Sequence, residues 1–77
     1  MQQGLATITI SDEGLSEHVA FEIKDRTGLL FARQELLLRA KNAKNVRLSL
    51  LTARCEHVIR IGNIDSSCAN FSIIRDL

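Results

Sequence analysis

Two segments in the first third of the sequence alternate with a period of two, and this pattern constrains the fold more than any other feature. LATITI, from Leu5 to Ile10, carries Ala and Ile at every second position. HVAFEIK, from His18 to Lys24, does the same with Val19, Phe21 and Ile23. Such alternation is typical of strands with one buried and one wet face. The turn residues between them, including Gly14, predict an antiparallel hairpin.

From Thr27 onward the apolar period changes to about 3.6, which is typical of a helix. The segment LLFARQELLLRAKNAK consists of strong helix formers, and Asp25 or Thr27 is suited to cap it. Phe31 and Leu38 lie almost opposite the main apolar stripe of this helix. A helix that is apolar on two sides needs a second surface to cover it, and in a chain this small that surface is expected on another subunit. Phe31 and Leu38 are therefore the predicted interface residues.

The second half of the sequence returns to strand patterns at NVRLSLL and HVIRIGNI. The last segment, SSCANFSIIRDL, follows a plausible cap and is predicted to be a short helix, although its alternation also permits a strand. The resulting order is β-β-α-β-β-α. It predicts an α+β fold in one domain of residues 1–77: a two-layer sandwich with an antiparallel sheet of about four strands, one long helix and one short helix.

The size of the chain limits the core that it can bury, because 77 residues make one small domain. Association into a homo-oligomer, most simply a dimer, is therefore expected. No basic and apolar leader and no apolar run of about 20 residues stands in the sequence, so a cytoplasmic protein without membrane contact is expected. The two cysteines do not form a disulfide framework.

Charge is concentrated in the middle of the chain. Residues 21–60 carry nine basic and four acidic side chains, a net charge of +5. A basic region of this kind attracts anionic partners. The predicted contact residues are Arg33, Arg39, Lys41 and Lys44. With three Phe and no Tyr or Trp, stacking on nucleobases is not expected.

The stretch DRTGLL, Asp25 to Leu30, has two interpretations. In one, Asp25 caps the helix and Gly28 only permits the turn. In the other, Gly28 lets a ligand approach the N–H groups of the helix start, where the helix dipole favours a carboxylate. No phosphate-binding loop is present, and Cys55 and His57 lack the partners of a catalytic or metal site. We therefore expect no catalytic residues, no metal and no cofactor.

A strand, then Asp25, Gly28, Leu29 and Leu30, then a helix and Asn45-Val46, resembles the ACT domain, a small regulatory module that binds amino acids and similar ligands. The resemblance implies a ligand site at Asp25, Thr27, Gly28, Leu29 and Asn45. Thr27 stands where that family usually has proline. The closing strand of its β-α-β-β-α-β fold would lie beyond Leu77, and the strand Leu5–Ile10 is expected to replace it.

A second segment, IDSS, is similar to the STAS domain, which implies a phosphorylation site at Ser66. Taken together, the sequence predicts a small non-enzymatic regulatory or interaction module that binds a carboxylate ligand or a protein partner. The alternative is a nucleic-acid-binding regulator that uses the basic helix.

Overall fold

The computed structural model describes residues 1–51 and 53–77, and these form a closed barrel of six antiparallel strands with one α-helix. The strands are β1 (Gln2–Ile10), β2 (Leu15–Lys24), β3 (Thr27–Phe31), β4 (Val46–Leu50), β5 (Cys55–Asp65) and β6 (Cys68–Asp76). The helix, α1 (Gln34–Asn42), lies between β3 and β4, and a 3-10 turn (Ser11–Glu13) lies between β1 and β2.

The barrel consists of two three-stranded meanders, β1-β2-β3 and β4-β5-β6. They are joined along two seams, where β3 pairs with β6 and β1 pairs with β4. Closure in this way gives each of the six strands a partner on both edges, which removes most of the exposed edge that an open sheet would leave.

The core lies inside the barrel, and every strand contributes its alternate side chains to it. Ala6, Ile8 and Ile10 of β1 are fully buried, as are Leu30 of β3 and Leu48 of β4. The helix adds Leu36, Leu37 and Ala40 and packs against β5 and β6. The buried residues of the barrel and of the helix thus form a single hydrophobic cluster.

The predicted hairpin at the start of the chain is confirmed. β1 pairs with β2 in continuous register from Gln2 opposite Ile23 to Ile10 opposite Leu15. Gly14 has φ 62°, the left-handed conformation that glycine adopts without steric cost. Period-two alternation therefore located these two strands correctly.

The predicted α+β sandwich is wrong, and one reason is that the start of the predicted long helix is a strand. Residues Thr27–Phe31 form β3, which pairs with β2 on one edge and with β6 on the other. The helix begins only at Gln34. A short apolar run such as Leu29–Phe31 fits a helix and a buried strand equally well by pattern, and the two neighbouring strands decide the outcome here.

The predicted short C-terminal helix is also wrong. Cys68–Asp76 forms β6, with the alternate side chains Ala69, Phe71 and Ile73 buried in the core. Asp65 pairs with Cys68, so Ser66 and Ser67 form a two-residue turn in which Ser66 has φ 58°. Ser66 is thus a hairpin residue and not the start of a helix. The two-helix architecture that the ACT resemblance implies is not observed.

Within the described ranges, no helix has the length and apolar character needed to cross a membrane.

Candidate functional site

An open groove of about 510 Å³ lies on the outer face of β2, β3 and β6. Small-molecule sites commonly have volumes of about 300–1,000 Å³. Two rows of outward-facing side chains cross the three strands at this groove. The first row is Glu22, Leu29 and Asn70, and the second is Lys24, Thr27 and Ser72.

The second row consists of hydrogen-bond donors. Lys24 pairs with Thr27 across β2 and β3, and Thr27 pairs with Ser72 across β3 and β6. Residues directly opposite each other in antiparallel strands have β-carbons about 5 Å apart, so the three side chains adjoin on one face. The Thr27 hydroxyl donates to the carbonyl of Lys24 at 3.4 Å. All three side chains are exposed, and Lys24 has no ion-pair partner among residues 1–51 and 53–77. The row is therefore suited to an anionic group.

The floor of the groove is apolar and tightly packed. The ring of Phe71, which is 2% exposed, lies against Gly28, where a β-carbon would come within 2.7 Å of the ring atom Cζ. A β-carbon at position 28 would also contact the carbonyl oxygen of Glu22. Gly28 is needed here because any side chain would displace this floor.

Three of the five predicted ligand residues, Thr27, Gly28 and Leu29, line this groove. They do so as part of a strand, so the predicted role of a helix dipole at this loop is wrong. Asp25 lies outside the groove lining, in the exposed β2–β3 turn with φ 60°. Asn45 lies between α1 and β4, where its carbonyl accepts the N–H of Ser11 at 3.2 Å, and it lines a different groove.

The two predicted interface residues are both exposed and lie on different elements. Phe31 ends β3 and is 40% exposed, and Leu38 lies on α1 and is 48% exposed. The reasoning that put Phe31 on a helix is therefore wrong, while its role at an interface stays a prediction.

The four predicted anion-contacting residues divide into two pairs. Arg33 binds the carboxylate of Glu17 at 2.6 Å, and Arg39 binds Glu13 at 3.7 Å and Glu35 at 3.3 Å. Lys41 and Lys44 have no side-chain ion pair among residues 1–51 and 53–77. All four side chains stay charged, but only the two lysines carry a charge that is not already paired with an acid of the described residues.

A polar cluster joins the β2–β3 turn to the end of β6. Asp76 lies 2.6 Å from Nδ1 of His57 and accepts a hydrogen bond of 3.3 Å from Arg26. Arg26 also donates to the carbonyl of Ile73 at 3.3 Å. The hydrogen bond with His57, together with that from Arg26, holds the pKa of the Asp76 carboxyl below its ordinary value of 3.8. This cluster connects three chain segments, because His57 lies on β5.

The reactive side chains do not gather into a site in the described part of the chain. The thiol of Cys55 is exposed and donates to the carbonyl of Ala53 at 3.3 Å, whereas His57 is engaged by Asp76. No group of three or more His, Cys, Asp or Glu side chains that could hold a metal ion occurs there.

Seven of the ten residues that line the groove were not among the predicted site residues. The shared outer face of Glu22 and Lys24 follows from the alternation of β2, because residues two apart in a strand point to the same side. Asn70, Phe71 and Ser72 were not expected because their segment was predicted to be helical, and no local signal could pair it with β3.

Comparison with protein-family models, with curated proteins and with solved structures finds no match for this chain. The resemblance to the ACT domain thus stays a prediction made from a short pattern, and function has to be argued from the groove and the surface.

Proposed function

We propose that this chain is a non-enzymatic binding module that holds a small monocarboxylate in the groove formed by β2, β3 and β6. The donor row of Lys24, Thr27 and Ser72 is the observation that carries the proposal. The ammonium of Lys24 and the hydroxyl of Ser72 offer a carboxylate one charge-assisted and one neutral hydrogen bond, and the Thr27 hydroxyl between them becomes a second neutral donor if it turns away from the carbonyl of Lys24, to which it donates at 3.4 Å. A cytoplasmic location and a regulatory role are part of the same proposal.

The side chains of the first row select the other properties of the ligand, namely an apolar body and a single carboxylate. Leu29, 36% exposed, lies between Glu22 and Asn70 and offers apolar contact for the body of the ligand. Glu22 would repel a second carboxylate at that end, because like charges at close range are unfavourable. The groove should therefore prefer acids with one carboxylate and an apolar body to dicarboxylates.

Titration calorimetry and thermal unfolding with isovalerate and phenylacetate test this proposal. The corresponding amides and succinate serve as comparison compounds. A ligand at about ten times its Kd should stabilise the fold by about 1.4 kcal/mol. For a domain of this size that is a rise in Tm of about 6–11 °C. Lys24→Gln should abolish the effect, and Lys41→Gln, which removes an ammonium outside this groove, should leave it unchanged. Equal binding of acids and amides, or no binding of either acid, would contradict the proposal.

Association into a homodimer is proposed as well, through an apolar row on the outside of the barrel. Leu5 pairs with Ala20, and Ala20 pairs with Phe31, so these side chains adjoin on three strands. Leu5 is 56% exposed and Phe31 is 40% exposed. Next to this row, residues 2–4 of β1 extend beyond the pairing with β4, which begins at Ala6. An uncovered strand edge beside exposed apolar side chains favours pairing with a second copy.

A further inference from the structure

The barrel brings five cationic side chains from four separate elements to one outer face. Arg47 on β4 and Arg75 on β6 are both in register with Val58, on the β5 strand between them. With strands about 4.8 Å apart, the two arginines are separated by about 10 Å across the sheet. They line opposite sides of a shallow groove of about 180 Å³.

A second shallow groove, of about 120 Å³, adjoins the first and is also basic. Lys41 of α1, Lys44 and Arg60 of β5 line it. The two grooves share Val46 and Val58, so they form one continuous surface. We call this surface the basic face and define it by Lys41, Lys44, Arg47, Arg60 and Arg75.

Most of the charge on the basic face is not neutralised by the protein. Arg47 binds Glu56 at 3.3 Å, but the other four cations have no ion-pair partner within residues 1–51 and 53–77. Asp12 lies near one end, where its carboxylate accepts the main-chain N–H of Lys44 at 2.9 Å. All five cationic side chains are exposed. A continuous surface with an excess of positive charge attracts anionic polymers.

We propose that the basic face binds the phosphate backbone of a nucleic acid without reading its bases. The five cations are spread along two connected grooves and do not converge on one point, which suits a chain of phosphates better than a single anion. Three of them are arginines, whose guanidinium groups match phosphate oxygens in bidentate geometry.

Two features of the basic face indicate which class of anionic partner it binds. Phe21 and Phe71 are buried and Phe31 lies outside the two grooves, so no aromatic side chain is present for stacking on bases. Ile74 and Leu77 are exposed and line these grooves, but a lipid bilayer is nearly flat and would contact mainly the groove rims. A strand of phosphates follows a groove, and we therefore favour nucleic acid over a membrane.

Fluorescence anisotropy with a labelled random-sequence duplex tests the proposal over a range of salt concentrations. With five phosphate contacts, log Kobs should fall by about 4.5 for each tenfold rise in salt, and the double variant Arg60→Gln/Arg75→Gln should lower this slope by about 2. Duplexes of unrelated sequence should bind equally. Arg33→Gln/Arg39→Gln is the matched control, because it removes two exposed arginines that are already paired with acids and should leave the slope unchanged.

Three outcomes would overturn the proposal. The first is no duplex binding up to about 100 µM protein at low salt, the weak end of the usual range for non-specific binding. The second is an equal reduction of the salt slope in the test variant and in the control variant. The third is binding to vesicles containing an anionic phospholipid without binding to duplex. Thermal unfolding checks that each variant is folded, and Lys41→Gln/Lys44→Gln replaces the test variant if Arg60→Gln/Arg75→Gln does not fold.

Discussion

Gly28 and the ring of Phe71 contact each other across the seam between β3 and β6, with no room for a side chain between them. This contact lies under the proposed ligand groove and at one of the two seams that close the barrel. The same pair of residues therefore connects the stability of the fold to the shape of the site.

Replacing Gly28 with Ala should destabilise the protein by about 1–3 kcal/mol, because overpacking forces neighbouring atoms to move. The obstruction includes the main-chain oxygen of Glu22, which cannot rotate away as a flexible side chain would. Gly14→Ala is the comparison: its new β-carbon would have nothing within 4 Å, but Gly14 has φ 62°. That change should cost about 1–2 kcal/mol from backbone strain alone. Urea denaturation measures the change in the free energy of unfolding for both variants. An unchanged stability of Gly28→Ala would contradict the packing around Gly28.

Leu37 and Leu38 are neighbours on α1 and offer a matched pair for the contribution of the helix to the core. Leu37 is fully buried, and Leu38 is 48% exposed. Leu37→Ala should cost about 2–5 kcal/mol through lost contacts and the cavity it leaves. Leu38→Ala should change stability by no more than about 0.5 kcal/mol, as is usual for surface sites. Equilibrium denaturation measures the loss of stability in each variant, and similar losses would mean that the helix does not pack against the barrel through Leu37.

Asp76 should stabilise the fold in a pH-dependent way. Its folded-state pKa lies below the ordinary value of 3.8, because His57 and Arg26 favour the ionised carboxylate. The stabilisation is therefore complete well above 3.8 and is lost as the pH falls through the folded pKa. Asp76→Asn should lower the unfolding midpoint near neutral pH, and the difference from the parent protein should disappear in strong acid. Asp65→Asn, at the exposed last position of β5, is the control. If the difference in unfolding midpoint between Asp76→Asn and the parent protein stays constant across the acid range, Asp76 does not stabilise the fold through its ionised carboxylate.

Phe31→Glu should disrupt the proposed homodimer, because it places a charge in the apolar row beside Leu5 and Ala20. Leu38→Glu tests the other predicted interface residue separately, since Leu38 lies on α1 and Phe31 on β3. Light scattering at tens of micromolar protein measures the mass of each variant. A dimer that persists in both variants would exclude these surfaces, and a monomeric parent protein would exclude the association.

The positions of β1, β2 and β4 and most of β5 were predictable, because each alternates clearly over five or more residues. The hairpin turn at Gly14 was predictable for a related reason, since glycine between two such strands marks a change of direction. Three of the ten residues that line the groove were expected as well, namely Thr27, Gly28 and Leu29, although as part of a helix start that does not exist.

The rest depended on contacts between distant segments. The run Leu29–Phe31 has side chains that suit either a helix or a strand, and so does the segment that became β6. Each gains a full set of main-chain hydrogen bonds as a strand only when the other is beside it.

The sequence alone therefore determined which faces of the regular strands are apolar, because that is a property of side chains in fixed order. Only the tertiary structure decided that β3 and β6 are strands, that they join to close a barrel, and that residues 22–29 meet residues 70–72 at one groove. The physical reason is that strands form hydrogen bonds with partners far along the chain. Local sequence preference therefore does not determine which segments pair.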